Sequence, residues 1–254
     1  MAGLRLDAEL ESASRVERSK VRVRKPDGRI ERTTASFGLW PWVRLAVSKG
    51  DSVEDFCALA GIAQSAVRDL GVRFSQPVSN HVAQLAYARF GPAAAMEAGL
   101  LVKAGQFALL ELIVRSTPTV RMGLEYGCLF FPLLHDGGHL CYESLAGGRA
   151  ALRWDPPRTY AVHHGYVELT FAVALLGIRR ETARPDAMPD EVWFRHGAPH
   201  DLSVHTRVLG VEPRFGMPED HVIFGASMAA LRPTRANAAV HRAAADAGAA
   251  ELDE

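Results

Sequence analysis

The sequence lacks any excess of one charge. Its 254 residues include 29 lysines and arginines and 29 aspartates and glutamates, so the formal net charge is zero. DNA-binding domains usually carry a basic excess, because neutralising phosphates supplies most of their affinity. The composition therefore argues against a DNA-binding domain, and we expect this chain alone to bind duplex DNA no better than a neutral protein. Its 48% of hydrophobic residues is typical of a globular domain with a core.

Cysteine and long apolar runs are also scarce. Cys57, Cys128 and Cys141 are widely spaced, odd in number and form no CxxC pair. They predict free thiols rather than a zinc knuckle or a disulfide framework. The first twenty residues do not resemble a signal peptide, and the longest apolar stretches are shorter than the roughly 20 residues that cross a bilayer. These absences indicate a cytoplasmic protein with no membrane association.

Recognisable catalytic motifs are missing as well. There is no P-loop, no nucleophile elbow, no HExxH and no dinucleotide-binding glycine motif. His135 and His139 are four residues apart, as are His196 and His200, a spacing that binds zinc when both histidines share one helical face. Two glycines interrupt the first pair and Pro199 interrupts the second. We therefore predict no enzymatic activity, no metal site and no cofactor.

Three regions differ in composition. Residues 1–35 form a basic N-terminal arm, for which a solvated tail is the favoured interpretation and a nucleic-acid-touching segment the alternative. Residues 36–232 form the main domain, and residues 233–254 form an alanine-rich linker helix or tail. Because the arm holds few apolar residues, we expect removal of residues 1–34 to leave the fold intact.

The main domain changes its periodicity halfway. From Trp40 to about Leu134 the apolar residues recur at helical spacing, whereas short strand-like runs follow. Two of these runs flank Ala146–Gly148, which predicts a hairpin. The predicted strands comprise residues 139–145, 149–154, 191–195 and 221–224. We predict an α+β fold, in which a helical N-terminal half packs on a small antiparallel sheet with one buried helix.

The buried helix is predicted over His163–Ile178. Apolar residues surround almost its whole circumference, so it should be covered on both sides, between the sheet and the helical half. Replacing Phe171 by alanine should then cost about 3–5 kcal/mol. Replacing Glu168 on the same helix should be nearly silent if its carboxylate faces solvent.

The segment from Ser52 to Leu70 looks like a helix-turn-helix, with Gly61 at the turn. Its second helix, over Gln64–Leu70, offers a single arginine beside an aspartate, a poor surface for phosphates and base edges. A structural helix pair is therefore the favoured interpretation over a DNA reader.

Taken together, these segments resemble the effector-domain branch of the AraC/XylS transcription regulators, whose N-terminal region is helical first and then α+β. The most telling stretch is Gly105–Tyr126, a glycine, a helix, a small polar turn and a second helix that ends near an aromatic residue. The resemblance covers roughly Trp40 to Arg232. Further matching segments are Gly91–Leu100, Val192–Pro199, Gly210–Pro218 and Val222–Ala226.

This resemblance implies an effector-sensing domain over residues 36–232 that binds an unidentified small molecule. It also implies a homodimer, and contact with DNA only through a domain that this chain does not contain. Apolar pockets with a few polar anchors are typical of small-molecule sites. The expected ligand-binding residues are polar or aromatic side chains in the second half: Tyr126, Tyr142, His164, Tyr166, Trp193 and Arg195. The alternative is a stand-alone interaction or dimerisation module without a ligand.

Overall fold

The computed structural model describes residues 32–136, 138–157 and 161–253. Most of the predicted arm lies outside these residues. Its last part forms strand β1 (Thr33–Ala35), which pairs antiparallel with β2 (Arg73–Ser75). On its other side β1 is joined to residues 134–136, because the Ala35 amide donates to the Leu134 carbonyl and the Asp136 amide donates to the Thr33 carbonyl. The predicted boundary at residue 35 therefore falls between β1, which is buried, and the domain to which β1 is hydrogen-bonded.

Among the described residues, seven α-helices follow β1 in the N-terminal half. Local signals set several of their ends: the Ser52 hydroxyl caps the second helix through the Asp55 amide, and the Thr119 hydroxyl caps the seventh through the Met122 amide. The helices are α1 (Trp40–Ser48), α2 (Val53–Leu59), α3 (Gln64–Arg68), α4 (Gln76–Phe90), α5 (Ala94–Leu100), α6 (Ala108–Arg115) and α7 (Val120–Leu129).

The helix-turn-helix resemblance corresponds to α2 and α3, which meet at Gly61, where φ is +66°. Cys57 and Val67, one from each helix, are buried in the core of the helical half. Helix α3 has only five residues, and its Val67 carbonyl accepts a hydrogen bond from the Trp40 indole. The two helices therefore pack as part of the core of the helical half.

The second half contains one four-stranded antiparallel sheet, in the order β3-β4-β6-β5. Leu152 of the central strand β4 lies opposite Tyr142 on one side and Val222 on the other. The strands are β3 (His139–Ser144), β4 (Ala150–Asp155), β5 (Glu191–Trp193) and β6 (Asp220–Phe224). The helices are α8 (His164–Thr182), α9 (Ser203–Leu209), α10 (Ala226–Ala229) and α11 (Ala238–Asp253).

Helix α8 lies between the two halves, as its all-round apolar pattern predicts. Tyr166 and Leu169 pack into the core of the helical half, whereas Phe171 and Leu175 pack into the core that covers the sheet. The α+β prediction, with a helical half, a small antiparallel sheet and one buried helix, is confirmed.

The predicted linker or tail at the C-terminus forms helix α11, which packs on α6 and on the end of α7. Gly248 permits the close approach, because a Cβ atom there would lie 2.8 Å from Ile113 Cδ1 and 2.9 Å from Phe130 Cε1. His241 adds a polar contact, with its Nδ1 3.1 Å from the Ile113 carbonyl. This helix is therefore packed on the domain. None of the helices in the described ranges is both long and apolar enough to cross a membrane.

Candidate functional site

An apolar cavity of about 200 Å³ lies between α8 and the helices α6 and α7. Helix α8 supplies one wall with Leu169, Val173 and Gly177, which are four residues apart and so share one face of the helix. Other apolar residues of its lining include Phe107, Leu110, Val114, Val120, Leu124, Phe131, Leu134, Leu140 and Leu152.

Gly177 leaves part of this space open. It lies within α8 on the cavity wall, and a Cβ atom built on it meets no other atom within 4 Å. Glycine inside a helix costs about 1 kcal/mol relative to alanine, so the sequence keeps an unfavourable residue where a side chain would project into free space.

Charged side chains lie along one part of the lining. The Arg180 guanidinium pairs with Glu111 at 3.1 Å and with Glu181 at 2.9 Å. Arg115 is the second positively charged residue of the lining. Arg115 is half-buried, and so keeps part of its hydration.

A different polar set includes Thr34, His135 and Tyr166. The Tyr166 hydroxyl donates to the Ser79 carbonyl at 3.0 Å, and the Thr34 hydroxyl lies 2.8 Å from His135 Nδ1. These residues come from β1, from the segment before β3 and from α8. The cavity is therefore assembled from parts of the chain that are far apart in sequence.

A second cleft, of about 450 Å³, is more polar and opens more widely to solvent. His164, Arg195, His196 and Asp220 are the titratable residues of its lining. The His164 and His196 rings stack with centroids 4.4 Å apart. Its openness makes it a weaker candidate than the apolar cavity, because small-molecule sites bury most of the ligand surface.

Beneath this cleft lies the carboxylate of Glu168, which is 1% exposed. Its Oε2 accepts a 2.7 Å hydrogen bond from the Tyr87 hydroxyl, and His205 Nε2 lies 3.4 Å from the same oxygen. His196 Nε2 lies 3.0 Å from Oε1. The condition for a nearly silent Glu168→Ala, a carboxylate that faces solvent, is therefore not met, because polar partners enclose this acidic residue within the buried helix.

Burial raises the pKa of the Glu168 carboxyl, but the contacts from His196, His205 and Tyr87 outweigh this effect and bring the pKa to about 2. Burial, together with the neighbouring imidazole of His164, lowers the pKa of His163 to about 4. The cluster therefore joins a buried carboxylate to polar groups of α4, α9 and the segment after β5, and it serves to hold α8 in place.

Three of the six expected ligand-binding residues line a cavity. Tyr166 lies in the wall of the apolar cavity and is buried. His164 and exposed Arg195 line the second cleft together.

The other three residues line neither cavity, and each has partners of its own. Tyr126 stacks on Phe130 and meets the edge of His241. The Tyr142 hydroxyl lies 3.3 Å from Arg121 Nη1. The Trp193 ring stacks on His221, and its indole donates to Glu191.

Sequence reasoning missed Thr34, His135 and Gly177 in the apolar cavity. Thr34 lies at the end of the predicted arm, and His135 stands out in the sequence only as half of a possible zinc-binding pair. Gly177 alone carries a usable signal, because a glycine inside a predicted buried helix marks either a close approach or a space. Within the part of the chain that the structure describes, no group of three or more His, Cys, Asp or Glu side chains is arranged to hold a metal ion.

A comparison with known protein families shows which family the chain matches. Residues 50–233 match the model of the arabinose-binding domain of AraC transcription regulators, an N-terminal domain. The chain belongs to this family. The match starts just before α2 and ends just after α10, so it includes most of the helical half and the whole four-stranded sheet.

The AraC-type domain also has a structural relative, the transcriptional regulator CdpR from Pseudomonas aeruginosa. The TM-score is 0.52 at 13% sequence identity, and the likeness covers 82% of this chain and 61% of that chain. At this identity the likeness concerns the fold, and the matched region amounts to less than two thirds of the relative's length. No curated protein matches the chain.

Proposed function

We propose that this chain is the effector-sensing domain of an AraC-type regulator and that its effector binds in the apolar cavity beside α8. The observation that carries the proposal is the cavity itself, because it lies against the helix that belongs to both hydrophobic cores. A ligand there would favour one packing of α6 and α7 on α8. That change would bias a DNA-binding domain or a second copy of the chain.

The lining argues for an apolar effector and against arabinose, the sugar in the family's name. A pentose carries several hydroxyl groups, each of which costs free energy when buried without a hydrogen bond. Most polar groups of the wall are already engaged: Thr170 donates to the Tyr166 carbonyl, Thr182 donates to the Ile178 carbonyl, and Arg180 is paired with two glutamates. The cavity therefore offers too few partners for a sugar.

The remaining features of the proposal rest on family membership. We infer a cytoplasmic, non-enzymatic regulator that acts as a homodimer and reaches DNA through a DNA-binding domain. Tyr166 belongs to the proposed effector site, whereas His164 and Arg195 would contribute only if the second cleft also takes part. Sedimentation at low and high concentration, with and without a bound ligand, tests the dimer.

A pair of substitutions at Gly177 tests the proposed site. Gly177→Leu would place a side chain in the cavity from a helical position that has room for it, and Gly177→Ala adds only the Cβ atom. We expect ethylbenzene, as an apolar probe, to raise the melting temperature of the parent and of Gly177→Ala but not that of Gly177→Leu.

Two results would count against the proposal. If Gly177→Leu bound the probe as tightly as the parent, the binding site would lie elsewhere, and the cleft beside His164 would be the next region to test. If neither the parent nor Gly177→Ala bound ethylbenzene or any member of a broad metabolite panel, the interaction module without a ligand would replace it.

A further inference from the structure

His135 is a polar group built into the wall of the apolar cavity. It is 3% exposed, and its ring lies between two aromatic rings: Tyr166 at 5.4 Å and 9° from parallel, and Trp154 at 5.7 Å and 27°. Phe131 meets the same ring at its edge. These contacts hold the imidazole in one orientation, so a ligand would lose little free energy in ordering it.

The two ring nitrogens of His135 differ in their surroundings. Nδ1 lies 2.8 Å from the Thr34 hydroxyl, whereas Nε2 is buried and has no hydrogen-bond partner among the described residues. A buried polar atom without a partner costs about 1–3 kcal/mol, so a partner supplied by a ligand would be stabilising. His135 lines the cavity, so a ligand bound there can supply that missing partner.

The imidazole is neutral near pH 7. Burial lowers the pKa of His135 to about 3, and the positive charge of Arg73 acts in the same direction. A neutral imidazole would give a buried anionic group little compensation for its lost hydration. The matching ligand group is therefore uncharged.

A hydroxyl group fits this nitrogen best. The Thr34 hydroxyl can either donate to Nδ1 or accept from it, so Nε2 can be a donor or an acceptor. A hydroxyl satisfies both arrangements, because it donates and accepts. A carbonyl or an ether only accepts.

The size of the cavity limits the rest of the ligand. A cavity of about 150 Å³ with an apolar lining accommodates benzene, so about 200 Å³ has room for somewhat more than a single ring. We propose that the cavity binds a neutral apolar molecule of about ten non-hydrogen atoms that bears one hydroxyl group, with that hydroxyl on Nε2 of His135. This proposal rests on the proposed effector function and names its ligand class.

Three probes of matched shape test the proposal by calorimetry: 4-ethylphenol, ethylbenzene and 4-ethylbenzoate. We expect the parent to bind 4-ethylphenol about fivefold more tightly than ethylbenzene, the gain that one net hydrogen bond gives. His135→Phe keeps a ring between Tyr166 and Trp154 but removes Nε2, so ethylbenzene should then bind more tightly than the phenol. His139→Phe, at an exposed position four residues away, is the matched control and should keep the preference of the parent.

A second measurement needs no substitution at the site. In the parent labelled with ¹⁵N-histidine, 4-ethylphenol should shift the Nε2 resonance of His135 much more than ethylbenzene does. The experiment therefore remains decisive if His135→Phe fails to fold.

The contrary outcomes are distinct. If the parent binds neither ethylphenol nor ethylbenzene, the proposed function fails at this site. If both bind, and the preference survives in His135→Phe or the Nε2 resonance responds equally to both, the effector site stands and the hydroxyl contact is wrong. If 4-ethylbenzoate binds most tightly and Arg115→Gln abolishes that preference, the ligand is an anion held by Arg115, and the hydroxyl proposal is overturned.

Discussion

The hydroxyl of Tyr87 donates a 2.7 Å hydrogen bond to the carboxylate of Glu168 and so links α4 to the buried helix α8. The same carboxylate is approached by His196 and His205, from the other side of the domain. A single acidic side chain thus connects the helical half to the elements around the sheet. Its removal should affect the stability of the whole domain.

We therefore expect Glu168→Ala to lower the free energy of unfolding by about 3 kcal/mol, because it leaves buried polar partners without an acceptor. Glu125→Ala is the control, since Glu125 is exposed on α7 and should change stability by less than about 0.5 kcal/mol. Urea unfolding measures both. Equal midpoints for the two variants would contradict the structural role of the cluster.

Phe171→Ala should cost about 3–5 kcal/mol, because Phe171 is fully buried in the core on the sheet. A domain of ordinary stability has about 5–15 kcal/mol in total, so this variant should be marginal. Leu129→Ala, at a position that is 62% exposed, should unfold like the parent. A melting temperature for Phe171→Ala within a degree or two of the parent would show that α8 is not central.

Two helical glycines should respond oppositely to alanine. Gly177→Ala should raise the free energy of unfolding by about 1 kcal/mol, since the new Cβ meets nothing and the helix propensity improves. Gly248→Ala should lower it by about 1–3 kcal/mol, because α11 must move away from Ile113 and Phe130. Thermal unfolding of the two variants measures the signs. A higher free energy of unfolding for both variants would mean that the packing of α11 does not depend on this close approach.

Acid should destabilise the domain well before its carboxylates titrate. The pKa values of His135 and His163 are lowered to about 3 and about 4, from an ordinary 6.5, so the folded state binds fewer protons than the unfolded chain below pH 6.5. Stability is thus greatest above pH 6.5, and each group reduces it by up to about 1.4 kcal/mol per pH unit as the pH falls toward its folded value. The lowered pKa of Glu168 adds a further loss only between about pH 4.5 and 2.

Urea titrations at pH 7.5, 6.5, 5.5 and 4.5 follow this loss. His135→Phe removes one of the histidines whose pKa is lowered and should give a shallower dependence between pH 6.5 and 4.5. A dependence as steep as that of the parent would show that His135 titrates normally in the folded protein.

The N-terminal boundary can be tested by deletion. Removing residues 1–31 should leave the described domain unchanged, whereas removing residues 1–35 deletes β1 and should lower the melting temperature by about 5 °C or more. Thr33 and Thr34 argue against the expectation that residues 1–34 are dispensable, because both are buried and form hydrogen bonds with Asp136 and His135. Identical melting of the two deletions would contradict the importance of this strand.

Local sequence patterns predicted most of the elements because their causes are local. Helical periodicity, caps such as Ser52 and the apolar circumference of α8 depend on neighbouring residues, and they indicated the helical half, the hairpin and the buried helix. The family resemblance rested on the same segments. Three-residue strands such as β1 carry too little pattern to be seen, particularly next to a basic arm.

The site was less predictable because it depends on contacts between distant segments. Thr34 contacts His135, which lies about one hundred residues later in the sequence, and no local periodicity indicates that contact. Aromatic and polar residues in the second half predicted Tyr166 in the wall of the apolar cavity, but equally Tyr126 and Trp193, whose partners lie elsewhere. Spare volume also leaves no mark in a sequence, except where a glycine such as Gly177 lies within a helix.

The position of α8 has a consequence for how the domain comes apart. Because α8 contributes to both hydrophobic cores, displacing it would expose the apolar interior of each half to water. Cutting the backbone between the halves should therefore release no fragment that refolds alone, and unfolding should occur in one all-or-none step. The two halves should then behave as a single cooperative unit, so a ligand that stabilises one of them should also protect the other from proteolysis.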